Sequence, residues 1–240
     1  MRTGNPVLND NAFTDVHASG STETMTIQGT TNKTFVLLGL VVLSAAWIWE
    51  NPALTSLYMP AAGGGFVVAM VTVFRKEWSP VTSCIYAVLE GILLGGISAV
   101  FEHAYPGIVM QAVGLTFGTL FALLMAYKSG MVQVTDNFRL GVVAATGGIC
   151  LYYLLGLILN FFHIQVPLIY ETGIFGIGFS LFVVFIAALN LVLDFDFIEQ
   201  GSRMGAPKYM EWYGAFGLMV TLIWLYMEIL RLLAKTRRRD

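Results

Sequence analysis

Three acidic residues close an apolar run in the stretch AALNLVLDFDFIEQ (187–200): Asp194, Asp196 and Glu199. A carboxylate inside an apolar helix of this kind is costly unless something pairs with it, so it reads as a functional group by default. Residues two apart on a helix do not face each other. Asp194 and Asp196 therefore point to different sides, and any partner for either must come from another segment. Glu90 is a second such group, eight residues into TSCIYAVLEGILLGGISAVF (82–101) with no basic residue within four positions. At 1.5 Å per residue it lies about 12 Å from the near end of its helix, and Asp194 lies about 10 Å from Gly201. Both acids are thus expected at similar depth in the same half of the helices. Together with Asp196 they are the candidates to line an ion path.

Other groups have plainer expectations. Arg75 ends the second apolar segment; its long side chain either snorkels to the surface or reaches an aspartate of the sixth. Glu228 lies some 25 Å along the last segment from Glu211, with Arg231 three residues on, and the two are expected to form a local surface pair. His103 and His163 fall in loops, and Cys84 and Cys150 sit in apolar runs without metal-ligand spacing. The terminal KTRRR run is expected to be a solvated tail. The chain has no HExxH, GxSxG, GxxxxGK[ST] or dinucleotide fingerprint, so no enzyme activity, resident cofactor or nucleic-acid partner is expected.

The elements that position these groups are membrane-spanning helices. The 240 residues are 57% hydrophobic and only 12% charged, against about 25% charged in soluble domains. Apolar runs of about 20 residues, the length that crosses a hydrocarbon core, recur along the chain. Seven can be cut out, at about 34–49, 54–74, 82–101, 107–127, 140–162, 172–197 and 212–234. The organisation expected is a polar, disordered tail over 1–33, a transmembrane domain over 34–234 and a basic tail over 235–240. Glycine is concentrated inside the helices, at Gly91, Gly95, Gly96, Gly114, Gly118, Gly147 and Gly148, where small residues let backbones pack closely. Lysine and arginine alternate between loops: Arg75 and Lys76, then none, then Lys128 and Arg139, then none, then Arg203 and Lys208. The bias sets the N-terminus in the cytoplasm. A seventh span carries the terminal arginines to the opposite side, against the same rule, so the side of the C-terminus stays open, with a re-entrant late segment as the alternative.

The stretches YAVLEGILLGGIS (86–98), GFSLFVVFIAALNLVLDFDFIEQG (178–201) and GAPKYMEWYGAFGLMVTLIWLYMEILRLL (205–233) resemble the Bax inhibitor-1 family, in its bacterial branch, over about residues 34–234. The resemblance implies an all-α membrane protein of seven helices with the last one central. It implies a pH-dependent calcium leak, in which an aspartate on the sixth helix shares a proton with one on the seventh and an arginine ending the second engages the pair. The sixth-helix aspartate falls on Asp194 and the arginine on Arg75. The seventh-helix aspartate falls on Thr221, which cannot ionise, so Glu90 or Asp196 is the candidate substitute.

The function expected from this is a pH-sensitive calcium leak in the bacterial plasma membrane. Calcium, as permeant ion rather than cofactor, would meet weak oxygen sites at Asp194, Asp196 and Glu90, with Asp194, Arg75 and Thr221 as the gate. The alternative is a non-conducting regulator that binds other membrane proteins, such as a quality-control protease. The partners expected are the lipid bilayer, calcium and protons, and such a membrane protein.

Overall fold

The computed structural model describes residues 23–162, 171 and 173–238; His163, the chain before 23 and the last two residues lie outside them. Seven α-helices follow in order: α1 Ile27–Glu50, α2 Tyr58–Phe74, α3 Ser79–Ala104, α4 Ile108–Lys128, α5 Asp136–Phe161, α6 Ile174–Arg203 and α7 Met210–Arg237. Among the described residues no strand forms, only an isolated antiparallel bridge between Thr24 and Pro207. Six of the helices are long and apolar enough to cross a membrane, and α2 is a shorter apolar helix. This is an all-α membrane bundle.

Local chemistry explains the helix limits. Thr26 caps α1 by accepting from Gly29 N–H at 2.9 Å, and Thr135 caps α5 by accepting from Phe138 N–H at 3.2 Å; each satisfies a donor that a helix start leaves over. Helix α6 ends at Arg203 and is turned off at Gly205, whose φ of +67° lets Ala206 N–H return to Gly201 O at 3.0 Å, a left-handed turn that glycine adopts without steric cost. Helix α2 is preceded by a 3-10 stretch, Pro52–Leu57, and Pro60 sits in its first turn, where backbone N–H groups have no helical partner to lose.

These limits revise the expected segments at three places. The first helix starts at Ile27, inside the stretch expected to be a polar tail, because Thr26 supplies a cap. The sixth runs on to Arg203, so Asp196 and Glu199 are helical. The seventh runs unbroken to Arg237, which makes Lys235 part of the helix rather than of a tail.

The described residues divide between two compact units, and the division falls inside α6 and α7. The first holds residues up to 104 with 196–220. Here α1 and α3 pack backbone to backbone: a side chain at Gly95 would meet Ala45 O at 2.6 Å, and one at Gly91 would strike Ser44 and Val41. Tyr86 of α3 meets Phe216 of α7 edge-on, ring centroids 5.0 Å apart. The second unit holds the described residues of 105–195 with 221–238, around Ile149, Val183 and Ile186, against which Tyr153, Phe179 and Trp224 pack. Of the candidate spans, α7 is the most buried, at 61%, while α4 and α5 are each only 17% buried.

Candidate functional site

In the second unit, α6 and α7 carry polar groups at matched intervals. Ser180, Asn190 and Asp194 of α6 are all buried, and Asp194 completely so. With Gly176, Val183 and Ala187 they recur every three or four residues, which places them on one face of the helix. On α7, Thr221, Glu228 and Lys235 are buried at intervals of seven, two helical turns each. The two rows meet where Lys235 Nζ donates to Ser180 Oγ at 2.9 Å and to Gly176 O at 3.1 Å. Asp194 and Thr221 each lie fourteen residues back from that contact, about 21 Å at 1.5 Å per residue, so they occupy the same level of the seam. Glu228 lies half-way.

Each level has its own chemistry. Asn190, one turn from Asp194, donates through Nδ2 to Thr146 Oγ1 of α5 at 2.8 Å and to Ile186 O at 2.9 Å. A carbonyl can only accept, so the amide orientation is settled. Its Oδ1 is buried and takes no hydrogen bond among the described residues. At the middle level, Tyr153 O–H of α5 donates to Glu228 Oε2 at 3.1 Å. Arg231 Nη1 lies 3.0 Å from Glu228 Oε1 and 2.7 Å from Tyr153 Oη, with its guanidinium 5.1 Å from the Tyr153 ring centre. Arg231 is thus the partner expected for Glu228. The pair is not a surface pair, however: Glu228 is 2% exposed, because α5 covers it with a tyrosine.

The remaining candidates belong to the first unit. Glu90 is buried, one turn from the buried Tyr86, with its Oε1 lying 3.2 Å from where a side chain at Gly65 would begin. Asp196 is half-buried and accepts from Gln200 Nε2 at 2.6 Å, one turn on along its own helix. It leaves α6 on a different side from Asp194, as their spacing requires. Glu199 pairs with Arg203 at the exposed end of α6. Arg75 is exposed at the C-cap of α2. So Asp194 and Thr221 share a level in one unit, whereas Glu90, Asp196 and Arg75 lie in the other. Among the described residues no three His, Cys, Asp or Glu side chains gather as a metal site.

Sequence reading overlooked one centre in the first unit. Glu211, in the first turn of α7, is completely buried and receives Thr26 N–H at 2.9 Å and Thr26 O–H at 2.8 Å. Lys33 also pairs with it, and Lys208 lies 3.2 Å away. Beside it Met25 N–H donates to Ala206 O at 2.6 Å. The carboxylate thereby ties the start of α1 to the turn between α6 and α7. A helix of ordinary polarity opening on Met-Glu-Trp carries no signal of this; the only hint was Gly29, whose missing side chain leaves room for the Glu211 carboxylate.

The matched polar rows on two antiparallel helices sit inside a chain whose family can be stated. The family model described as Bax inhibitor 1 like matches residues 5–238, nearly the whole chain. The chain belongs to that family. No curated protein and no solved structure matches it. As a Bax inhibitor 1 like protein it is a multi-pass membrane protein, and the seam of α6 and α7 is the part of that bundle in which ionisable groups are buried in register.

Proposed function

We propose that this Bax inhibitor 1 like protein is a pH-sensitive calcium leak of a bacterial plasma membrane, with the N-terminus cytoplasmic and the path following the α6–α7 seam. The observation that carries the reading is the completely buried Asp194 carboxylate with the open Asn190 Oδ1 acceptor one turn away on the same helix face. Calcium takes oxygen ligands, and a carboxylate with one amide oxygen is a site weak enough to release the ion, as conduction requires. Protonating Asp194 removes the charge that attracts the cation and so couples flux to pH. Arg75, exposed at the C-cap of α2, stands as the basic member of the proposed gate. Thr221, level with Asp194, offers a hydroxyl where the resemblance implies a second acid. Glu90 and Asp196 stand as separate weak calcium contacts.

The test is calcium entry into dye-loaded liposomes bearing the purified protein, stepped from mildly acidic to mildly alkaline pH. Wild type should pass calcium in a pH-dependent manner, and Asp194→Asn should lose the dependence while remaining folded. No flux above empty liposomes from folded protein would overturn the leak and favour the non-conducting regulator of other membrane proteins.

A further inference from the structure

The middle of the seam holds a carboxylate that the leak just described does not use. Glu228 sits seven residues beyond Thr221 on the same face of α7, and its buried carboxylate is closed off by two groups of different helices. Tyr153 of α5 donates to one oxygen, and Arg231, one turn on, spans both Glu228 oxygens and the Tyr153 hydroxyl. Lys235 follows one heptad further, with its ammonium on Ser180 and Gly176. The two members of the ion pair differ in freedom. Glu228 is 2% exposed, whereas the Arg231 side chain is 33% exposed, so the arginine has room to swing outward and the glutamate has none. A buried carboxylate that loses its cation must acquire another positive partner or a proton.

We infer that Glu228 is a second charge station on the seam, locked by Arg231 and Tyr153, and that the ligand it takes when Arg231 swings away is a hydrated cation. Where Thr221 leaves α7 without an acid level with Asp194, the acid of that face stands two turns along, about 10 Å nearer the Lys235 end. The lock sets the sign of charge admitted: closed, the pair is neutral; open, the seam presents a carboxylate. The inference rests on the seam's being a cation path, and its test is arranged to separate the two.

In full-length protein carrying Cys84→Ser, Cys150→Ser and Ala187→Cys, reconstituted in liposomes, the new thiol lies on the seam face of α6 at the level of Glu228. Its reaction rates with a cationic and with an anionic water-soluble methanethiosulfonate reagent are compared. Arg231→Gln should raise the cation-to-anion rate ratio several-fold, and Glu228→Gln should lower it below that of the parent. Simple loosening of the helices would speed both reagents alike. The nearly isosteric Glu228→Gln keeps a carbonyl for Arg231 and decides the matter by itself if Arg231→Gln does not fold. A ratio unchanged by either substitution in folded protein overturns the station. A changed ratio without calcium flux keeps the station and sinks the calcium leak; flux with an unchanged ratio does the reverse.

Discussion

At the scale of single residues, the buried carboxylates of this chain divide by what faces them. Glu211 is surrounded by donors: a backbone N–H, a hydroxyl and two ammonium groups. Removing one member of a buried ion pair strands the other at a cost of about 3–5 kcal/mol, lessened here because Lys208 is 42% exposed and regains water. Glu211→Gln is therefore expected to lower the thermal midpoint of the detergent-solubilised protein markedly, and Glu199→Gln at the exposed end of α6 to leave it nearly unchanged. Equal shifts from the two would contradict this account. Glu228 was legible in the sequence as Arg231's partner, because residues three apart share a helix face. Its burial was not, since Tyr153 arrives from a helix 75 positions away.

At the scale of elements, the glycines that look alike in sequence do different things. Gly91 and Gly95 let α1 and α3 touch, with Ala45 backbone atoms closer to Gly95 than any side chain allows. Gly114, Gly118, Gly147 and Gly148 have, among the described residues, nothing within 4 Å of where a side chain would begin, so the close helix contact seen at the first group is not seen at the second. Gly95→Val should reduce the yield of folded protein severely, and Gly118→Ala should be tolerated or slightly stabilising, since alanine is the better helix former by about 1 kcal/mol. Size-exclusion profiles of the two variants in detergent check this; aggregation of the Gly118 variant would count against it. Spacing revealed where small residues recur, while which stripe meets another helix depended on how the helices are laid together.

At the scale of the whole chain, the fold orders its ends. Within the second unit Arg237 donates to Pro106 O at 2.8 Å and to Gln111 Oε1 at 3.1 Å, and Lys235 reaches the start of α6. The end of α7 thus lies with Pro106 and the starts of α4 and α6, at the other end of α4 from Lys128. Under the proposed cytoplasmic N-terminus, seven spans would carry Arg237 and Arg238 to the opposite side despite their charge. Alkaline phosphatase fused after residue 238 should be active in a bacterial host, and the same enzyme fused after Gly130 should be inactive. The reverse pattern would show the bundle inverted, and equal activity at the two sites would show that α5, α6 and α7 do not all span.

The sequence by itself determined the membrane class, the family, the number of helices and the residues too polar for their surroundings, because hydrophobicity, helical period and the cost of a buried charge are local properties. It also placed Asp194 and Asp196 on different sides of α6, a consequence of helical geometry alone. Only the tertiary structure decided the partners: Thr146 for Asn190, Tyr153 for Glu228, Ser180 for Lys235, and Thr26 with Lys33 for Glu211. The register between antiparallel helices brings these groups together. That register follows from the packing of faces contributed by distant stretches of chain, which no single stretch encodes.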